Sequence, residues 1–297
     1  MTANLGFEDL TVVLVTYNSS EILRTTAPPL SGLANVIVVD NASRDDTVAV
    51  AQALLPNARV HRSPRNLGFG AANNVGLDQV TTPFALLLNP DCCFDAEQIQ
   101  RLLDAAARYP EAAILAPHLH DARGKAETAY NVPFWLRAER QPYIEPGGDL
   151  CTDFLTGAAL LLRMPMLRQT GFFDPAIFLY FEDDDLCLRV RRAGHALILV
   201  ADAKLEHLVG RSSRRTLGLL HRKYFHETAS RIYLWSKYRG RGRALRLAAQ
   251  LAAINLLKLP LFALTFNAHM TVRSAARVQA ALRAFVRIRP RNEPSRT

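Results

Sequence analysis

Short apolar runs separated by polar turns organise the first two thirds of the chain. Residues 11–16 are all β-branched or Leu, too few for a buried helix, and predict a strand interior to a sheet. The polar loop 17–20 follows. A second run at 36–39 closes with the polar segment 40–45, and an Ala- and Val-rich helix is expected over about 46–55. Further strands are expected at 84–88 and 196–200, and another apolar run lies at 159–162. The acids at 182–185 precede an expected helix that uses Leu186 and Val190 as apolar positions, with Gly194 placed to end it. Strands alternating with helices predict an α/β fold with a parallel sheet. Such sheets bind ligands at the carboxyl ends of their strands, which puts Asp40 where a nucleotide would be met. No G-x-G-x-x-G follows the first strand, so the dinucleotide fingerprint of dehydrogenases is absent.

Three polar segments carry candidate chemistry. Gly68 and Gly70 open a helical segment; such a loop can cradle phosphate or be a plain turn. Asn89 and Asp91 flank a proline at a strand end and form either a partial Mg²⁺ or Mn²⁺ shell or an Asx turn. Glu182 to Asp185 follow an aromatic run. Crowded carboxylates beside an apolar wall suit a proton acceptor or a cation site, whereas a solvated helix N-terminus would use the same residues to offset the helix dipole.

Taken together, Val15-Thr-Tyr-Asn18, Val38-Val-Asp-Asn-Ala-Ser43, Asn66-Leu-Gly-Phe-Gly70, Leu88-Asn-Pro-Asp91 and Tyr180-Phe-Glu-Asp-Asp-Asp-Leu186 resemble the ordered motifs of family 2 glycosyltransferases, in particular the bacterial rhamnosyltransferases. The resemblance runs from about residue 10 to residue 235. It implies a GT-A fold, with a mostly parallel central sheet flanked by helices, and an inverting reaction that uses a divalent cation, Mg²⁺ or Mn²⁺. The implied donor is a nucleotide-diphosphate sugar: dTDP-rhamnose by subgroup, with UDP or GDP sugars as alternatives. The implied acceptor is a glycan or lipid-linked glycan in cell-surface polysaccharide assembly.

Carried over by position, Thr16, Tyr17, Asn18, Asp40, Asn66, Gly68 and Asn89 line the donor site, and Asp91 binds the metal bridging the donor phosphates. His207, expected just beyond the strand at 196–200, matches a metal-ligating histidine. Asp183 matches the catalytic base. Glu182 and Asp185 take supporting places, and Thr156 and Gly157 fall where donor and acceptor pockets are shaped. Asn89 stands where the general motif has its first Asp, which predicts a weaker metal site. Three rivals are a nucleotide-sugar-binding partner without turnover, a processive polysaccharide synthase and a nucleotidyltransferase. The chain lacks the Q-x-x-R-W motif of the second and the basic glycine loop of the third.

Charge adds a second region. From Lys204 onward there are 20 Lys and Arg against 3 Glu, a local excess of +17, while the remainder carries −8. The apolar run 247–266 is nominally long enough to cross a bilayer, but Gln250, Asn255, Lys258 and Pro260 interrupt it. The expectation is therefore a catalytic domain over 1–235, a basic helical tail over 236–289 lying on an anionic membrane surface, and a disordered end over 290–297. A helix packed on the catalytic domain is the alternative. No nucleic-acid-binding motif accompanies the basic residues. Cys92, Cys93, Cys151 and Cys187 lack zinc spacing, and two are adjacent, so no disulfide framework is expected. With no charged-then-apolar leader at the N-terminus, the expected place is the cytoplasmic face of the membrane. Residues 130–148 read as an irregular loop able to serve as an acceptor-side lid.

Overall fold

The computed structural model describes residues 5–127, 130, 145–208 and 216–287. The bulk of the expected loop at 130–148, and all of the expected disordered end, lie outside them. Among the described residues, nine strands make one sheet: β1 (Leu10–Thr16), β2 (Val36–Asp40), β3 (Arg59–Arg62), β4 (Phe84–Leu88), β5 (Cys92–Cys93), β6 (Ala112–His120), β7 (Leu150–Cys151), β8 (Ala159–Arg163) and β9 (Ala196–His207). Their order is β3-β2-β1-β4-β8-β6-β9-β5, with β7 paired to β9. The β3-β2-β1-β4 half is parallel. β8 enters antiparallel between β4 and β6, while β6 and β9 are parallel to each other. The sheet is thus a parallel half joined to a mixed half.

The apolar runs become central strands because both sheet faces are covered, so every residue of β1, β2 and β4 is buried. Alternate residues serve opposite cores. Val12, Leu14, Val36, Val38 and Leu86 pack with α1 (Ser20–Thr26), α2 (Thr47–Leu54) and α4 (Ala96–Arg108), helices on one face. Val13, Val15, Ile37, Val39 and Leu87 pack with α3 (Phe69–Leu77), α5 (Met164–Thr170) and α6 (Glu182–Arg192) on the other. This two-sided burial fixes register, since a slip of one residue would exchange the two cores.

Two expectations change here. β9 continues to His207, placing that histidine inside the strand and opposite Cys92 of β5. The helix expected after the acidic run begins at Glu182 itself, so all four carboxylates occupy its first turn.

A second unit comprises Ile177–Phe181 and the described residues 216–287. It holds α7 (Leu217–Arg239), α8 (Arg241–Leu264) and α9 (Ala268–Arg287), so the division expected near residue 235 falls inside α7. Ala244, Ala248 and Ala252 recur every four residues along α8 and are buried with Ile232 and Ala281, small side chains that let helices approach closely. The far end of the hairpin is uncovered: Leu257 is 79%, Leu264 78% and Phe266 94% exposed. By length and composition α8 could cross a membrane, with a mean hydropathy of 1.7 over its most apolar stretch.

Candidate active site

The carboxyl ends of β1, β2 and β3 meet in a row of unsatisfied polar atoms. Thr16 and Asp40 are register partners on adjacent strands. Thr16 Oγ1 and Asp40 Oδ1 are both buried without a hydrogen-bond partner, as is Ser63 Oγ one residue beyond β3. Unpaired buried polar groups are costly and rare, so three at neighbouring strand ends mark a place built to receive a polar ligand. The other Asp40 oxygen accepts from the Ser43 amide at 3.2 Å. The adjoining loop is held open by Asn18 in the left-handed region at φ 51°. Its amide donates to Ser43 Oγ, and its side-chain oxygen accepts from the Arg44 amide at 2.8 Å. Tyr17 is half-buried beside it.

The glycine loop is clamped by Asn41. Asn41 Oδ1 accepts from the Leu67 amide at 2.7 Å, and Asn41 Nδ2 donates to the Gly68 carbonyl at 3.1 Å and to Asn66 Oδ1. Asn66 Oδ1 also accepts from the Gly68 amide at 2.9 Å. Gly68 has φ 89° at the N-cap of α3, which a side chain would strain, and lacks a side-chain cap.

At the end of β4, the Asn89 amide donates to the Ala158 carbonyl at 2.9 Å. Asp91 Oδ1 lies 3.4 Å from His207 Nε2, and the other ring nitrogen, Nδ1, lies 3.0 Å from Glu127 Oε2. Burial lowers the imidazole's affinity for protons, but hydrogen bonds and charge from Asp91 and Glu127 prevail and lift its pKa to about 8. Asp91, Cys92 and His207 each offer an atom within 4.8 Å of the others. Burial, then the charge of Asp91, pushes the Cys92 thiol well above its usual range, and the sulfur donates to the Ala158 carbonyl. A protonated, engaged thiol leaves one carboxylate and one imidazole, a set that suits Mg²⁺ or Mn²⁺ once substrate oxygens complete the shell. Glu127 holds Nδ1 and leaves Nε2 for an ion, the usual support of a metal-bound histidine.

Asp183 sits in the first turn of α6. Its Oδ2 accepts from the Gly157 amide at 3.0 Å and its Oδ1 from the Asp184 amide. Burial raises its pKa against those hydrogen bonds. The like-charge contribution expected from its neighbours falls instead on Glu182, raised well above the carboxylate range by burial first and by Asp183 and Asp184 after. Glu182 Oε2 is buried without a hydrogen-bond partner. A Cβ on Gly157 would lie 3.3 Å from the Phe69 ring and 3.6 Å from Asp183 Oδ2, so glycine leaves that carboxylate accessible. Thr156 is half-buried next to it. Because Gly157 holds Asp183 and Ala158 holds Asn89, two adjacent residues fasten Asp183 to the segment carrying Asp91.

Asp185 stands apart. Its carboxylate is fully buried and pairs with Arg189 Nε at 2.8 Å, and the same guanidinium caps the carbonyls of Thr170, Gly171 and Phe172. This is a fastening of α6 to the loop before it. Asn41, Ser63 and Glu127 were not anticipated from the sequence as site residues.

The sequence profile described as Glycosyl transferase family 2 matches residues 11–167. The chain is 31% identical over 240 residues, 69% of this chain and 78% of the relative, to an N-acetylglucosaminyl-diphospho-decaprenol L-rhamnosyltransferase of Mycobacterium tuberculosis. It is 25% identical over 199 residues, 62% of each chain, to a low-salt glycan biosynthesis hexosyltransferase of Haloferax volcanii. A mannosyltransferase of Pyrobaculum calidifontis, solved in complex with GDP-Man and Mn²⁺, matches with a TM-score of 0.57 at 15% identity, over 93% of this chain and 87% of its own. That likeness is one of fold. The chain is a family 2 glycosyltransferase with a GT-A fold.

Proposed function

We propose that this enzyme transfers L-rhamnose, or a similar deoxysugar, from a nucleotide-diphosphate donor to a hydroxyl of a lipid-linked glycan, with inversion. The relative from Mycobacterium tuberculosis supplies the sugar and acceptor class. The carrying observation is the fastening of Asp183 and Asn89 through Gly157 and Ala158. It ties a half-buried, raised-pKa carboxylate to the strand end where a donor diphosphate would lie. Asp40 and Thr16 receive the nucleoside through their unsatisfied oxygens, and the Asn66–Gly68 loop borders the diphosphate. Asp91 and His207 are the residues that would hold a divalent cation. When bound, that ion neutralises charge building on the leaving diphosphate.

Asp183 takes the proton of the acceptor hydroxyl as its oxygen attacks the anomeric carbon. The new C–O bond forms opposite the breaking bond to the diphosphate, and a single displacement inverts the centre. The burial of Glu182 beside it disfavours a second negative charge next to the attacking oxygen. The exposed apolar end of the α8–α9 hairpin, together with the basic helices, supports attachment to an anionic membrane at the cytoplasmic face.

A thermal-shift panel of nucleotide diphosphates and their sugars, with and without Mn²⁺, tests this reading. The expected result is selective stabilisation by dTDP and dTDP-rhamnose, enhanced by metal and lost in Asp40→Ala. Selective response to UDP or GDP would remove the rhamnose assignment, and silence towards all nucleotides would overturn the donor site at Asp40 and Thr16.

A further inference from the structure

We infer that the helical unit carries a binding site for the diphosphate of a lipid-linked acceptor, formed by Arg222, Arg283 and His221 around His226 and Phe178. The inference rests on the acceptor class proposed above. Along α7, His221, Arg222, Phe225 and His226 fall at spacings that share one face. The His226 ring stacks on Phe178 with centroids 4.4 Å apart. Arg283 of α9 reaches over the Phe225 ring at 5.6 Å, which brings its charge to the same face.

The cluster is uniformly positive. Burial, and then the charges of Arg222, Arg283 and His221, drive the His226 pKa down to about 4, so the ring is neutral within a positive field. The unit offers almost nothing to balance that field. Glu227 is the only acid among its described residues, and it lies by Arg277 at 4.0 Å. Two guanidiniums and an imidazole gathered without a carboxylate favour an anion that arrives from outside. Arginine's planar fork suits phosphate oxygens in particular.

The position of Phe178 identifies which anion. Ser230 Oγ of α7 donates to the Leu179 carbonyl at 2.9 Å, anchoring the segment that leads into the catalytic turn. Tyr180 and Phe181 follow in the left-handed region at φ 67° and 68°. Consecutive non-glycine residues there cost on the order of 1–2 kcal/mol each, and such strain concentrates at functional sites. Phe178 precedes Asp183 by five residues, so covalent geometry alone keeps the two within about 18 Å. A diphosphate seated by His226 and Phe178 would thus be tied, through five residues of backbone, to the turn that carries Asp183. Phospholipid headgroups share the phosphate chemistry, and the test separates the two sources.

Full-length wild type and Arg222→Ala/Arg283→Ala would be compared on two detergent-solubilised acceptors. One is N-acetylglucosaminyl-diphospho-lipid; the other is the same sugar on an alkyl chain without phosphate. The expected result is a roughly 100-fold fall in kcat/KM for the first, carried by KM, as two charge-assisted contacts are removed. The donor KM and the rate with the second acceptor stay unchanged, and Arg→Lys at both positions restores part of the loss. Inorganic pyrophosphate should compete with the diphosphate acceptor in wild type and less so in the variant. An unchanged KM for the diphosphate acceptor, or equal losses on both acceptors, overturns the site. Loss of binding to phosphatidylglycerol vesicles with unchanged kinetics would assign the arginines to headgroups and also overturn it. Wild type that glycosylates the alkyl acceptor but no diphosphate acceptor would instead refute the acceptor reading on which the site depends.

Discussion

In the proposed cation site of Asp91 and His207, the protonation of His207 makes binding pH-dependent by a calculable amount. Nε2 cannot ligate an ion while it carries a proton, and with a pKa of about 8 most His207 is protonated at neutral pH. The neutral fraction is about 3% at pH 6.5, about 10% at pH 7 and about half at pH 8. Apparent Mn²⁺ affinity should thus rise roughly 15-fold between pH 6.5 and 8, with nearly one proton released per ion at the lower pH. Titration calorimetry in buffers of differing ionisation enthalpy reads both quantities. Glu127→Gln removes one of the two carboxylates holding the proton, so its curve should shift to lower pH; His207→Gln should flatten it. Metal-free stability has the opposite sign. A histidine whose pKa is raised from 6.5 contributes stability that is full below about pH 6.5 and lost as pH rises through about 8, worth about 2 kcal/mol. Mn²⁺ affinity independent of pH over this range, with no proton release, would refute the placement of His207 in the metal site.

Other consequences follow from the same geometry. Asp185→Ala leaves Arg189 without its buried partner and should lower stability by about 3–5 kcal/mol in denaturant melts. A loss of activity at unchanged stability would instead make Asp185 a site residue. Leu257→Ser/Leu264→Ser/Phe266→Ser alters side chains that are exposed in the fold. It should abolish vesicle flotation while leaving the melting temperature within a degree or two; continued flotation would remove the hairpin end from membrane attachment.

The parallel half of the sheet was legible because both faces of β1, β2 and β4 are buried, which produces uninterrupted apolar runs. The full extent of β9 was less visible. Beyond Val200 its residues alternate, with Asp202, Lys204 and Glu206 exposed and Ala203 and Leu205 buried, a period-two signal that polar content disguised. Ser63 was hidden behind β3, a largely exposed strand whose Arg-Val-His-Arg sequence has no apolar face. Glu127 meets His207 across 80 residues, and nothing local announces that contact. Asp185 could have been separated from Asp183 in advance, since Arg189 lies four residues on, at the spacing of a helical ion pair.

The most direct test of the account is a transfer assay with dTDP-rhamnose and N-acetylglucosaminyl-diphospho-lipid, run on wild type and Asp183→Asn, with the product's anomeric configuration read by NMR. The predicted result is wild-type product of inverted configuration. Asp183→Asn should lower the rate by about 10²–10⁴-fold while the thermal shift induced by donor persists. Retained configuration, or a variant that turns over at the wild-type rate, would contradict Asp183 as the base.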